Sequence, residues 1–301
     1  MESLTIGIIG YNDSENLQKL LEKIESSDSP NNLTIELLYV DDASEDKSQE
    51  IFDQHQTRFN KKLINNNNNR GRPFSRNQII LNSSCDWILF LNSNILPKND
   101  NFLLNILSDF PSDCIAMMYP INYSSSDKKM EKYLNNSIRG VNQYSDKQII
   151  HYKYLLFSCA LIRSSVFSKN KNLIFNENMN SYGGEELDLA ERIDLKYPNQ
   201  IYCKKDVVFL RKDHPGLGSH IKRLVAFGKY NFNSLSLKNK TLIIHPVFIK
   251  KTISSIIKPL VVGLRFLFIL IYKVSPVLFP HLVRGIWWCS ILIGYYSTKK
   301  N

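Results

Sequence analysis

The chain opens on a short Ile-rich run, Leu4–Ile9, which predicts a buried strand, and Tyr11-Asn12-Asp13-Ser14 breaks it. Leu17, Leu20, Leu21 and Ile24 then recur at the spacing of one helical stripe. A second apolar run, Thr34–Val40, stops at Asp41-Asp42, and a helix is expected through Ile51 and Phe52. A brief strand at Leu63-Ile64 leads into an Asn-rich loop ending in Arg70-Gly71-Arg72-Pro73. Ser75 is the expected cap of a helix reaching about Asn82, and Trp87–Leu91 reads as a buried strand closed by Asn92-Ser93-Asn94. The alternation β-α-β-α-β-α-β predicts a parallel, doubly wound α/β sheet. Beyond it the pattern is less regular, with strands expected near Ile115–Pro120 and Leu155–Ile162 and a basic helix over Ile221–Tyr230.

In open α/β sheets ligands bind beyond the carboxyl ends of the strands. Tyr11-Asn12, Asp41-Asp42 and Asn92-Ser93-Asn94 all follow predicted strands, so three polar clusters are expected on one rim. Each alone reads equally as a turn. Together they mark a binding edge. Arg76-Asn77, near the start of a helix, adds a guanidinium beside free backbone N–H groups, a combination suited to a diphosphate.

Charge divides the chain. All 28 acidic residues lie in the first 213 positions, beside 25 of the 38 basic ones, whereas the remaining 13 basic residues fall between Lys222 and Lys300. The excess of positive charge therefore belongs to a tail that is also strongly apolar. Such a tail points to an anionic membrane surface and away from nucleic acid, whose sites interleave aromatic and basic residues on polar surfaces. Lys251, Lys258 and Arg265 recur every seven residues, which predicts a basic stripe on one helix face. Trp287, Trp288, Tyr295 and Tyr296 suit a membrane interface, and an interfacial or re-entrant hairpin is expected, with two tilted spans or a buried helical layer on the first domain as the alternatives. The five cysteines are scattered and form no C-x-x-C pair, as expected in a reducing compartment. The chain enters its first strand without a signal-type segment, so the cytoplasmic face of the cell membrane is the expected location.

The ordered blocks LTIGIIGYNDSENLQKLL, LLYVDDASEDKS, RGRPFSRNQ, WILFLNSNILP, FSCALIRSSVF and YGGEELDLAERI resemble the family 2 glycosyltransferases of the GT-A fold. The resemblance implies a GT-A domain over residues 1–235, followed by a basic, apolar, membrane-associating helical region over residues 236–301. It implies that Tyr11, Asn12, Asp41, Asp42, Arg76, Asn77 and Asn92 contact a nucleotide-diphospho-sugar, with Asp41 reading the base and Asp42 holding the turn through Ser44. In the block Gly183-Gly184-Glu185-Glu186 the second acid, Glu186, takes the place of the family's catalytic base, with Glu185 next in line. Asp188 lies near that site, and with Arg192 it is expected to form a structural pair.

The chain departs from the family where D-x-D is expected, since Asn92-Ser93-Asn94 stands there. The resemblance implies that Asn94 and His214 ligate Mg2+ or Mn2+, but an Asn carbonyl brings no charge to a hard cation. Three readings stay open: weak metal binding, neutralisation by Arg76 and the basic helix, or a catalytically impaired nucleotide-sugar-binding protein. The expectation is an active, inverting hexosyltransferase. It would use a UDP-sugar by preference and a glycan or lipid-linked acceptor at an anionic membrane, in surface polysaccharide synthesis of the cell envelope.

Overall fold

The computed structural model describes residues 2–136, 144–168, 173–212, 214–249, 254–275 and 279–298. The apolar runs at the start of the chain become β1 (Ser3–Gly10), β2 (Thr34–Asp41), β3 (Asn60–Asn65) and β4 (Trp87–Asn92), all parallel. Between them lie α1 (Ser14–Glu25), α2 (Ser48–Gln54) and α3 (Arg72–Asn82). The stripe Leu17, Leu20, Leu21 and Ile24 is the buried face of α1. Helix α3 starts earlier than Ser75: Gly71, at φ 82°, precedes it, and Pro73 occupies its first turn. Proline fits there because its missing N–H has no helical partner to lose.

The remaining elements are β5 (Ile95–Pro97), α4 (Phe102–Ile106), β6 (Ala116–Met118), β7 (Ile121–Tyr123), α5 (Lys128–Asn136), β8 (Cys159–Arg163), α6 (Ser164–Ser168), α7 (Glu185–Lys196), β9 (Ile201–Cys203), β10 (Phe209–Arg211), α8 (Leu217–Tyr230), α9 (Leu237–Ile243), α10 (Ser254–Val274) and α11 (Phe279–Tyr295). The main sheet has seven strands in the order β3-β2-β1-β4-β8-β6-β9. It is mixed rather than wholly parallel, because β8 runs antiparallel to both β4 and β6. Strand direction follows from the long connection between β4 and β8, and local periodicity carries no record of it. A second sheet, β5-β10-β7, is built of three-residue strands too short to show alternation.

The tail is layered onto this fold. α11 packs along α8 at very close range, since a Cβ on Gly228 would lie 2.1 Å from the Ile291 carbonyl oxygen and one on Gly294 2.1 Å from that of Val225. Leu224, Phe227 and Phe232 share one buried cluster with Leu292 and Tyr295, so the 235/236 boundary runs through a packed interface. The aromatic residues expected at a membrane interface turn inward instead. Tyr295 and Tyr296 donate to the carbonyls of Ile249 (2.7 Å) and Phe248 (2.6 Å), and Trp288 stacks edge-on against Phe248. The phenols thereby satisfy backbone carbonyls of the segment before α10.

Helix α10 sits outside α11. Val261 and Tyr272 face inward, and the Tyr272 hydroxyl donates to Asp127 (2.8 Å). Its outer face carries exposed Ile256, Leu260, Phe266, Leu267, Leu270 and Val274. Lys258 and Arg265 are half-buried beside the inward face, so the outermost surface is an apolar ridge rather than the expected basic stripe. Lys251 lies outside the described residues. Among the described residues no helix is long and apolar enough to cross a membrane.

The α8–α11 contact predicts a sharp contrast between two glycines of α8. Gly228→Ala is expected to destabilise the fold by about 1–3 kcal/mol through overpacking. Gly218→Ala, with nothing within 4 Å of its Cβ, is expected to be neutral or stabilising by up to about 1 kcal/mol. Urea unfolding of the two variants checks this, and equal stabilities would remove the close contact from the account.

Candidate functional site

The carboxyl ends of β1, β2 and β4 meet the start of α3 around a cleft of ≈ 320 Å³, lined by Ile9–Asp13, Asp42, Arg72, Ser75 and Asn92–Asn94. Of the predicted residues, Tyr11, Asn12, Asp42, Asn92 and Asn94 thus come together. Asn12, at φ 50°, accepts from the Glu45 N–H (2.7 Å) and its own N–H donates to Ser44 Oγ (2.9 Å), which locks the β1 and β2 turns to each other. Tyr11 stands exposed on the rim.

The Ser44 turn contact expected of Asp42 is made by Asp41. Asp41 accepts from the Ser44 N–H (2.8 Å) and Oγ (2.6 Å), and it also accepts from Tyr39 (3.0 Å) and Gln49 (2.8 Å). Two donors on each oxygen largely occupy its acceptor capacity, and burial with this anionic neighbour pushes the Tyr39 phenol well above its ordinary pKa. Asp42 faces the cleft. It accepts from the Arg70 and Gly71 N–H groups (2.9 and 2.8 Å) and from Asn66 Nδ2 (2.8 Å), tying the Asn-rich loop to the start of α3.

Arg76 is fully buried and lies beneath the cleft, not in it. Its guanidinium bonds Glu186 (2.6 Å), reaches Glu185 and Asn92 (3.5 Å each) and stacks over Phe175. Burial lowers its pKa, and the two glutamates oppose that shift. Arg72, one turn earlier on the same helix face, is the arginine that lines the cleft, and it pairs with Glu185 at 3.0 Å. The Glu185 carboxylate raises the Arg72 pKa. The i, i+4 spacing of Arg72 and Arg76 in RGRPFSR carried this signal, since such residues share a helix face. Asn77 also turns away from the cleft: it clips the Phe175 backbone through both amide atoms (3.0 and 2.8 Å) and donates to Glu177 (2.9 Å).

Helix α7 begins at the glutamate pair. Gly183 and Gly184 precede it at φ 80° and 92°, and a Cβ on Gly184 would meet Phe227 at 2.8 Å. Asn231, unpredicted and buried, donates to the carbonyls of Ser181 (3.0 Å) and Gly183 (2.8 Å) and so pins this loop. Glu185 is sealed at 1% exposure, whereas Glu186 keeps 19% and is the accessible acid. Asp188 pairs with Arg192 at 2.7 Å.

The resemblance implies Mg2+ or Mn2+ at the end of β4, and the donors there do not fit one. Asn94 Oδ1 accepts no hydrogen bond and offers a single neutral oxygen, while Asn92 Oδ1 faces Arg76. Both Asp13 oxygens are engaged, by Asn16 (2.7 Å) and Ser93 (2.6 Å). His214 is buried, with Nδ1 against the Pro215 carbonyl and its ring edge-on to Tyr123, and it does not line the cleft. Among the described residues no three His, Cys, Asp or Glu side chains gather as a metal site. A hard divalent cation takes several charged or carbonyl oxygens.

Removing Arg76 leaves a sealed glutamate without its buried partner. Arg76→Ala is expected to cost about 3–5 kcal/mol of stability. Arg72→Ala, at a partly exposed position, is expected to cost about 1 kcal/mol or less. Denaturant titration of the two variants measures the difference, and equal losses would contradict the burial argument.

The family model for Glycosyl transferase family 2 matches residues 5–170. Among solved structures, S. aureus TarS residues 1–349 in complex with UDP is similar at 16% identity and a TM-score of 0.57, over 80% of this chain and 68% of that one. The mannosyltransferase PcManGT from Pyrobaculum calidifontis, solved with GDP-Man and Mn2+, is similar at 16% identity and a TM-score of 0.56, over 77% of this chain and 63% of that one. The chain spans 41% of a longer S. aureus TarS structure. No curated protein sequence matches it. These likenesses show the fold, and a family match over more than half of the chain, on the blocks that build the cleft, shows that it belongs to glycosyl transferase family 2.

Proposed function

We propose that this glycosyltransferase moves a hexosyl unit, with inversion, from a nucleotide-diphospho-sugar to a glycan or lipid-linked acceptor at an anionic membrane surface. The observation that carries the reading is that Arg76 joins a partly accessible Glu186 to Asn92, which lines the cleft formed by the β1, β2 and β4 turns. The Tyr11 ring on the rim offers a stacking face to a nucleobase, and Asp42 offers an acceptor for the ring N–H that uracil and guanine both carry; uridine is the preferred reading. The solved neighbours support a nucleotide-sugar donor, one with UDP and one with GDP-Man.

In the reaction Glu186 takes the proton of the acceptor hydroxyl as that oxygen bonds to the anomeric carbon. The bond from that carbon to the phosphate oxygen breaks on the opposite face, and the nucleoside diphosphate leaves with the electron pair. Glu185 anchors both arginines from below. Asp41 shapes the turn beneath the base.

The impaired-enzyme alternative rests on the uncharged Asn92-Ser93-Asn94 turn and is decided by turnover. Glu186→Gln is expected to lower turnover about 10²–10⁴-fold while donor binding stays near wild type. Product assays over a panel of nucleotide sugars, paired with calorimetry, measure both. Turnover absent from the wild type with donor binding intact would establish the impaired reading, and an unchanged rate in the variant would place the base elsewhere.

The membrane part of the reading is supported by the apolar ridge of α10 and by a tail with 13 basic and no acidic residues after Asp213. Two copies of so cationic a surface repel each other, whereas anionic lipid complements it. Leu260→Ser with Leu267→Ser is expected to release the protein from anionic vesicles far more than added salt does, because buried apolar area is insensitive to screening. Co-sedimentation over a salt series tests this, and release by salt alone would favour a purely electrostatic attachment.

A further inference from the structure

The neutral turn at the end of β4 lies beside an uncommon concentration of positive charge. Strand β10 pairs antiparallel with β5, and its last residue, Arg211, stands opposite Ile95, the neighbour of Asn94. Tyr182, in the loop before α7, holds the Arg72 guanidinium 5.4 Å from its ring centre and that of Arg223, from α8, 5.5 Å from it. Burial lowers the Arg211 pKa, and the like charges of Arg72 and Arg223 add to that effect. Two guanidiniums, from α3 and α8, thus flank one ring, and one of them, Arg72, lines the cleft, while Arg211 on β10 lies near enough to feel the charge of both.

Among the described residues their charge is not fully matched by carboxylates. Glu185 and Glu186 balance Arg72 and Arg76. Among the described residues Arg211 and Arg223 form no ion pair. Holding like charges together in a partly dry place is unfavourable unless an anion completes the set. The surplus of two positive charges equals the about two negative charges of a nucleotide-sugar diphosphate, and planar guanidiniums suit phosphate oxygens.

We propose that Arg72 and Arg223, which flank Tyr182, together with Arg211 on the strand beside Asn94, form the diphosphate subsite and neutralise the leaving group in place of a resident divalent cation. The inference rests on the nucleotide-sugar reading for its physiological ligand, but the anion site itself is testable apart from it. Asn94 then serves as a neutral oxygen next to the cluster, where a second cation would be repelled.

The test is calorimetry with UDP, GDP and inorganic pyrophosphate, each in excess chelator and again with Mn2+. The variants are the wild type, Arg211→Gln with Arg223→Gln, and the conservative Arg211→Lys with Arg223→Lys, each checked for a native melting transition. The wild type is expected to bind the nucleotide and pyrophosphate with the same affinity in both conditions. The Gln variant is expected to lose about 10–100-fold for both ligands, and the Lys variant to recover part of that loss. Pyrophosphate binding that depends on the arginines, with neither nucleotide bound, would uphold the anion site and refute the nucleotide-sugar reading. Nucleotide binding unchanged in the Gln variant, or weakened tenfold or more by chelator in the wild type, would overturn the proposal.

Discussion

The buried guanidinium of Arg76 is the interaction on which the site depends. It joins three elements that are distant in sequence, α3, the end of β4 and the start of α7, through Glu185, Glu186 and Asn92. A charged group removed from water is tolerated only where opposite charge surrounds it, so this arginine fixes where the glutamate pair can sit. Glu185 in turn reaches Arg72 and so couples the buried layer to the cleft above. The site has two tiers, an inner one that holds position and an outer one that remains open to ligand.

The backbone around this pair is constrained from the other side. Gly183 and Gly184 take left-handed conformations that let the chain turn against Phe227, and Asn231 secures the loop from the end of α8. Because α8 is itself clamped to α11 through Gly228 and Gly294, the tail and the candidate base belong to one packed unit. A ligand that binds the outer face of α10 and one that binds the cleft are therefore linked by continuous packing, from α10 through α11 and α8 to α7.

Charge is placed unevenly along the molecule. Asp41 and Glu185 are buried and engaged by partners, whereas the tail after Asp213 carries basic residues without acidic ones. Lys258 and Arg265 flank the apolar ridge of α10 instead of crowning it, because the inward half of the helix is occupied by Val261 and Tyr272 packing.

The sequence by itself determined the strand-and-helix alternation of β1 to β4, the buried stripe of α1, and the convergence of three polar turns on one rim. These are set by local periodicity and by the rule that parallel strands present their carboxyl ends together. It also determined that Glu185-Glu186 opens a helix, since glycines followed by acids suit a helix start. Tertiary structure decided the rest. The reversal of β8, the ties of Asp42 to the Arg70-Gly71 backbone, the descent of Arg76 below the cleft and the inward turn of Tyr295 and Tyr296 all depend on partners far away in the chain. Which of two neighbouring aspartates faces a ligand is set by the side of the sheet its strand offers and by the donors waiting there. Those donors, Ser44 and Gln49 for Asp41 and the Arg70-Gly71 backbone for Asp42, take their places only when the chain is folded.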